Sequence, residues 1–456
     1  WLIENGHVTE DGKPVVQLRI ETGNRTNQKI IIHGVSGVAS DLFDQTSNTL
    51  HFSQAVGILA DVTEEAEELG FGPSHTYPAI WPDLIVDGRQ YAFPCNVSVG
   101  MYFVNKKTFE RYGVEVPPER WDFETYERIG KALVNAANKP GERRTVFLAD
   151  DVRMIDLYRS LGLSVFNETL TRCTIDDPRF VRALKLKYKW MYEDHLIPSL
   201  AERSGFDTAS GFGGPKLQLF DRGNYALVTG GRWLLVQLRK FDQMDLSISE
   251  YPHAPGGMPN TTFYTRAAAV YAAGEHRDKA VLFLAYLASE EYNLRLVKDA
   301  DALPPDPKYA DTEAFRNPPD HPSEHGIHEP FYQAAQNIAI AVPASPFIIK
   351  SVHQRHLREA EDAFMNGQLT ADQAARQASD RITAEMDRTL EERPGLRPEY
   401  ERRMELQRKI EEYRAAGRPV PREWLLNPFH RKWYAHQGWL AEESAVEAPI
   451  EMEGDE

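Results

Sequence analysis

The feature that most constrains this chain is the repeated alternation of short apolar stretches with amphipathic helical runs. "PPERWDFETYERIGKALVNAANK" sets Tyr126, Ile129 and Leu133 at three-to-four spacing, which predicts a helix with one buried face. "RTVFLA" follows, an apolar run too short for a helix, and reads as a buried strand. "LFDRGNYALVTGGRW" reads as turn, strand and turn. "TTFYTRAAAVYAAGEHRDKAVLFLAYLASEEYNLRLVKD" reads as a strand and then one long helix. Asp177 is placed to cap a helix that has Pro178 at its first position. Near the N-terminus "VVQLRIE" (15–21) alternates like a strand. "SVHQRHLREAEDAFMNGQLTADQAARQASDRITAEMDRTL" gives two helices about a turn at Gly367. Strands alternating with helices in this way, without an internal repeat, define an α/β protein.

At 456 residues, 42% of them hydrophobic, the chain can bury cores for two or three domains. Its net charge of −16, from 52 basic and 68 acidic side chains, excludes a general nucleic-acid binder, which needs a basic face. The terminal "AEESAVEAPIEMEGDE" has seven acidic and no basic residues and is expected to be disordered. Before it, "EYERRMELQRKIEEYRAAG" is a charged helix with a thin apolar seam at Leu406, Ile410 and Tyr413, and "REWLLNPFHRKWYAHQGW" carries three tryptophans. These aromatics read as an appendage docked on the body, or as a contact for a partner protein. The two cysteines, Cys95 and Cys173, allow one disulfide but do not require it. No apolar run has the ~20 residues of a membrane span. The opening "WLIENGHVTEDG" is already amphipathic and holds no signal peptide; Trp1 is an odd natural start, so the sequence reads as truncated, which leaves room for a targeting segment upstream.

Catalytic signals are sparse. Asp150 and Asp151 form a carboxylate pair, but neighbours in sequence point apart, whereas acid–base work needs two carboxyls facing one cleft. "HPSEHGIHEP" gathers His321, Glu324, His325, His328 and Glu329, ligand types that suit zinc, yet without metal-site spacing it reads as a solvated loop. "SGFGGPK" is Gly-rich but is neither a P-loop nor a dinucleotide fingerprint, and no GxSxG occurs. No cofactor, metal or catalytic activity is expected. Aromatics are plentiful at 11%, and Tyr91, Phe93, Trp121, Trp233 and Tyr264 fall near strand ends or turns. "GGRWLLVQLRK" (230–240) leaves two readings for Trp233: the first buried residue of a core helix, or an apolar plate at a cleft edge.

Seven segments, in order, resemble the extracellular solute-binding proteins of ABC transporters, in the sugar-binding branch that includes maltodextrin-binding protein. "SGVASDLFD" is similar to the family segment ending Pro-Asp-Val-Phe, and "GILADVT" to the G-x-L-x-D-L-T after it. "GRQYAFPCNVSVGMYFVNKKTFERYGV" resembles the first crossover between lobes, and "PPERWDFETY" a P-x-T-W-(D/E)-E motif. "LFDRGNYALVTGGRW" is similar to F-x-x-G-x-A-A-M-x-x-x-G-x-W. "RDKAVLFLAYLASEE" and "NGQLTADQAARQASDRI" resemble two later helical segments. The similarity runs from about residue 15 to 390. It implies a two-lobe periplasmic-binding-protein fold of type II, with a hinge and a ligand between the lobes, followed by a C-terminal helical and aromatic extension. The N-lobe is expected at 1–103 with 264–308, the C-lobe at 104–263 with 309–390, and the extension at 391–456.

Carried over residue by residue, the resemblance puts Asp44 and Gln45, Asn96 and Ser98, Arg153, Gly231, Arg232 and Trp233, and Tyr264 at the ligand. Trp233 falls on the stacking tryptophan. Trp121 is expected mainly to pack at a helix start. The implied function is extracytoplasmic capture of a carbohydrate, periplasmic or membrane-anchored, and delivery by a monomer to ABC permease subunits. Arg153 and Arg232 leave room for an acidic sugar. The alternatives are a glycosidase or lyase using Asp150 or Asp151, and a scaffold with a vestigial cleft. The chain also departs from the pattern. Ser40 replaces a proline, Gln45 stands where relatives often have an aromatic, and an initial strand and helix are missing. The tail beyond 390 lies outside the pattern.

Overall fold

The computed structural model describes residues 1–19, 27–46, 50–204, 214–241 and 244–441. Two sheets organise the chain, one in each lobe. The first is built around β7 (Thr261–Val270). β7 pairs antiparallel with β1 (Leu42–Thr46) and with β2 (Ala92–Val99), and parallel with β8 (Ala339–Ala341). The register of β2 slips between Pro94 and Asn96. Proline cannot donate to the ladder, and a bulge at that point is the usual accommodation. Beyond the slip, Asn96 and Ser98 lie two residues apart on one face of the strand.

The second sheet has the order β4 (Phe147–Ala149), β5 (Tyr225–Gly230), β3 (Met101–Asn105), β6 (Leu246–Ser249). α1 (Phe123–Ala137) is capped by Asp122, which accepts from the Thr125 N–H, and buries Tyr126, Ile129 and Leu133. α2 (Met154–Ser160) and α3 (Pro178–Tyr188, capped by Asp177) complete this lobe with α7 (Lys350–Met365) and α8 (Ala371–Glu392). Gly367, at φ 70°, turns the chain between the last two, and Thr370 and Gln373 close a capping box. The core of this lobe joins Trp121, Tyr126 and Trp190 to Ala374, Ala378 and Ile382. A second core runs without a break from Phe43, Val97 and Phe263 of the first sheet to Phe103 and Val228 of the second and Leu234 in the turn beyond it.

The pairing moves the expected lobe limits. Residues 101–103 belong to β3 in the second sheet, so the first crossover is at Gly100 and not after 103. The return strand starts at Thr261 rather than 264. The stretch 309–341 does not go to the second lobe, because β8 hydrogen-bonds to β7; the chain crosses back only after 341. The strand expected over 15–21 is not formed at residues 15–19, which find no partner strand and leave Leu18 exposed; residues 20 and 21 lie outside the described residues. The single long helix expected after β7 is two, α4 (Arg277–Ala288) and α5 (Glu290–Asp299), because Ser289 turns extended and caps the second. Cys95 and Cys173 are free thiols.

The extension docks on the body. α9 (Arg397–Ala415) turns its Ile410 seam onto Val420, Leu425 and Tyr434, and α10 (Pro428–Gln437) lies beneath it. The acidic end from 442 onward lies outside the described residues. No helix among the described residues is long and apolar enough to cross a membrane.

Candidate ligand-binding cleft

A cleft of about 910 Å³ opens where the two sheets meet. That is a typical volume for a small-molecule site. One wall comes from the first lobe: Asn96 and Ser98 on β2, Tyr264 to Arg266 on β7, and Asp299, Asp301 and Ala302 after α5. The other wall comes from the second lobe: Arg153, Thr229 to Gly231, Trp233, Val236, Gln237, Arg239 and Tyr251. Gly100, the first crossover, forms the floor.

The local backbone explains how Trp233 reaches the cleft. β5 ends at Gly230, Gly231 is extended, and a single 3₁₀ turn covers Arg232–Leu234. A Cβ on Gly231 would sit 2.2 Å from Ser98 Oγ and 2.8 Å from Trp233 Nε1. Only glycine lets the second-lobe backbone approach the first-lobe strand this closely. The indole is half-buried, with its inner part against the shared core. Leu234, Leu235 and Leu238 are buried as core, but Val236 and Gln237 turn to the cleft, so "LLVQL" is only partly core.

Arg153 lies at the start of α2. Its Nε and Nη2 grip Asp156 at 2.7 and 2.8 Å, and Nη1 donates to the Tyr264 hydroxyl at 2.8 Å. The guanidinium also lies 4.5 Å from the centre of the Tyr251 ring. Burial opposes its charge, but Asp156 holds its pKa above the ordinary arginine value. The other cleft arginines are paired as well. Arg239 forks onto Glu324 at 2.7 and 2.9 Å, and Arg266 pairs with Asp44. Burial raises the pKa of Asp301, although Arg266 acts against that shift.

The structure therefore brings Asn96, Ser98, Arg153, Gly231, Trp233 and Tyr264 to one cleft. Asp44 stays exposed outside it and reaches it only through Arg266. Gln45 is opposite Ala267 in the β1 ladder, and its side chain is outside the described part of the structure. Arg232 requires a correction, because it does not face the cleft. It is 1% exposed, and its guanidinium donates to the carbonyls of Leu296, Val297 and Ala302 at 3.1, 2.7 and 2.6 Å and to His328 Nδ1 at 2.9 Å. In a 3₁₀ turn successive side chains point about 120° apart, so the turn that presents Trp233 drives Arg232 inward. His328 in turn faces Glu324 at 3.0 Å, so this part of "HPSEHGIHEP" is a buried network rather than a solvated loop. Burial works against the Glu324 charge, but Arg239 and His328 bring its pKa down to about 2. No metal-binding group forms among the described residues.

The aspartate pair is structural. Asp150 accepts from the Thr229 N–H and hydroxyl at 2.7 and 3.0 Å and pairs with Lys216, while Asp151 pairs with Lys187 at 3.1 Å. Trp121, Tyr91 and Phe93 are buried, and the Trp121 indole N–H donates to the Glu250 carbonyl. Sequence reasoning missed Gly100, Thr229, Tyr251, Arg239, Arg266, Asp299 and Asp301 as cleft residues. Gly100 had a signal, a glycine between two apolar strands. The others become neighbours only through the packing of distant segments.

The family model of bacterial extracellular solute-binding proteins matches residues 10–294 of this chain. The chain belongs to that family. Membership places this solute-binding protein outside the cytoplasm. Among curated proteins, binding proteins of Brucella abortus and Brucella suis are 21% identical over 235 residues, which is 51% of this chain and 55% of theirs. The chain thus spans about half the length of the curated relatives it matches. Solved structures share the two-lobe fold. An ABC substrate-binding protein from Listeria monocytogenes in complex with cycloalternan has a TM-score of 0.69 at 21% identity, covering 85% of this chain and 95% of that one. The maltose/maltodextrin-binding domain from Bdellovibrio bacteriovorus bound to maltotriose scores 0.65 at 16% identity, covering 86% and 95%. The GacH receptor of Streptomyces glaucescens, solved unliganded and with acarbose, scores 0.67 at 16% identity, covering 85% and 94%.

Proposed function

We propose that this solute-binding protein captures a neutral sugar or oligosaccharide in the cleft and delivers it, as a monomer, to the permease of an ABC importer. It would work in the periplasm or tethered to the outer face of the membrane. The observation that carries this reading is Trp233, an indole set by a Gly-Gly turn on one wall of a 910 Å³ cleft, opposite the hydroxyl and amide groups of Ser98 and Asn96. A flat aromatic face suits the C–H face of a pyranose, and the polar wall suits its hydroxyls. The complexes with cycloalternan, maltotriose and acarbose point to the same ligand class.

Charge pairing favours a neutral ligand over an acidic one. Arg153, Arg239 and Arg266 already answer Asp156, Glu324 and Asp44, Arg232 lies elsewhere, and the wall adds two more carboxylates, Asp301 and Asp299, the latter paired with Arg295. A thermal-shift panel tests this. A matched neutral oligosaccharide at a hundred times its Kd contributes about 2.7 kcal/mol and raises the melting temperature by about 3 °C. Uronate-bearing sugars should leave it unmoved. A clear shift with a uronate and none with any neutral sugar refutes the proposal.

The close approach at Gly231 gives a second test. Gly231→Ala forces its Cβ onto Ser98 Oγ and the Trp233 ring edge. Relieving a clash of this kind costs about 1–3 kcal/mol, so calorimetry should show binding weakened roughly tenfold or more. Adding Ser98→Ala should recover part of the loss. No weakening in the single variant would remove this contact from the site.

A further inference from the structure

A second cavity, of about 340 Å³, opens between the second lobe and the C-terminal extension and shares no lining residue with the cleft. One wall is the stretch 162–179. The other is α9 and α10 with Trp439, and this extension lies beyond the matched residues 10–294. Buried bonds fix both walls. The Asn427 amide donates to Ser164 Oγ and to the carbonyls of Phe166 and Asn167 at 3.0, 2.9 and 3.2 Å. Glu168 accepts from Tyr434 at 2.6 Å, from Gln407 at 2.9 Å and from Arg414 at 3.1 Å, which joins both helices to the opposite wall. Trp433 closes over Gly162, where a Cβ would lie 2.3 Å from the indole. Behind the cavity, Phe429 is buried against Met258 and Ile340, and Lys432 Nζ donates to the Asn337 carbonyl at 2.7 Å, at the end of α6 (Glu329–Asn337).

The groups that this frame leaves unused define what can bind. The charges almost cancel, three arginines against four carboxylates, and Glu168 with Arg414 and Asp177 with Arg179 already answer one another. Burial pushes the His430 pKa down to about 4, so the imidazole adds no charge at neutral pH. A simple anion or cation therefore meets no field of one sign. Arg172 and Asp176 make no side-chain hydrogen bond or ion pair among the described residues, and both are exposed in the wall. One offers a fork of donors and the other a pair of acceptors. Trp439 supplies an apolar plate. Gly438, at φ 70°, ends α10 and turns the chain so that the Trp439 ring meets the Tyr434 ring edge-on, with its centre 5.5 Å from the Arg414 guanidinium. The ring keeps 40% of its surface exposed. A glycine turn that sets an indole on the wall of a polar cavity is also the arrangement at Trp233.

We propose that this cavity is a second carbohydrate site, which takes one neutral sugar ring that stacks on Trp439 and shares its hydroxyls between Arg172 and Asp176. A pair of neighbouring hydroxyls accepts from a guanidinium fork and donates to a carboxylate, and an indole face suits the C–H face of the ring. Small-molecule sites start at about 300 Å³, so a cavity of this size admits a monosaccharide rather than a chain. An amino acid would address the same cation and anion, but exposed ion pairs contribute little, and it has no ring of C–H groups to lay on the indole. What the cleft binds does not bear on this site.

The test follows the Trp439 indole N–H signal by NMR in the full ¹⁵N-labelled chain, with the signal assigned from its absence in Trp439→Phe. Glucose, galactose and mannose are titrated separately, with glycine and glutamate as zwitterionic probes. At least one sugar should move the signal saturably, with a Kd in the millimolar range. Arg172→Gln and Asp176→Asn should each weaken that binding roughly three- to tenfold. Both side chains are exposed and unpaired among the described residues, so the two variants should keep the wild-type melting temperature. Trp233→Ala should leave the titration unchanged, because the two cavities share no residue. A signal that none of the three sugars moves overturns the proposal, and so does one that only the amino acids move. Binding that is indifferent to both Arg172→Gln and Asp176→Asn overturns it as well. A shift that disappears in Trp233→Ala reports the cleft instead and has the same consequence.

Discussion

Trp233→Ala should abolish the sugar-induced rise in melting temperature while leaving the ligand-free protein folded. The indole is half-buried, so its removal opens a partial cavity and costs the fold about 1–2 kcal/mol. Its share in binding is larger. A tryptophan face covered by a sugar removes on the order of 200 Å² from water, about 5 kcal/mol at about 25 cal/mol per Å² before ordering costs. Losing half of that weakens binding roughly a hundredfold, which erases the shift at any practical sugar concentration. Trp121→Phe is the control. That indole is buried and donates to the Glu250 carbonyl, so its loss should lower the melting temperature and leave the sugar-induced increment intact. An undiminished increment in Trp233→Ala would remove the residue from the site.

What could be read from the sequence follows the range of the interactions involved. Helices with a local cause were legible: Asp177 caps where expected, and Gly367 turns where a left-handed residue is needed. The strand expected over 15–21 was not, and is not formed at 15–19, because alternation shows that a segment could be half-buried but not that a partner strand exists to receive it. The lobe limits were misplaced for a related reason. Whether 101–103 or 309–341 belongs to one sheet or the other is decided by pairing with β5 and β7, remote in sequence. At the site, Ser98, Trp233 and Tyr264 lie on strands and a turn with recognisable patterns, and all line the cleft. Asp299 and Asp301 follow an ordinary helix end, and nothing local marks them. Arg232 shows the sharpest limit. In sequence it is inseparable from Trp233, yet the turn sends one side chain to the cleft and the other into the core.

The buried fate of Arg232 makes it the position where a single substitution should cost the most stability. Its guanidinium meets three backbone carbonyls and one imidazole nitrogen, and it lies 4.4 Å from the centre of the Phe315 ring. Burial drives its pKa down to about 9, which leaves it charged at neutral pH. With Nδ1 accepting from Arg232, the neutral His328 carries its proton on Nε2 and donates it to Glu324, so the network has one consistent tautomer. Arg232→Met preserves the length and apolar stem but leaves the carbonyls of Leu296, Val297 and Ala302 without a donor. Each orphaned buried acceptor costs about 1–3 kcal/mol, and breaking such a network costs about 3–5 kcal/mol in total. Chemical denaturation should show a midpoint lowered accordingly, with an unchanged slope. Arg232→Lys should rescue little, because one ammonium with three donors cannot meet four acceptors spread around a planar fork. The effect should also reach the ligand. Arg232 starts from the second-lobe turn that carries Trp233, and its partners belong to the first-lobe segment that ends at Ala302, a cleft residue. A variant that keeps its denaturation midpoint would show that these hydrogen bonds are replaced, and that packing against Phe315 and the shared core suffices to hold the turn.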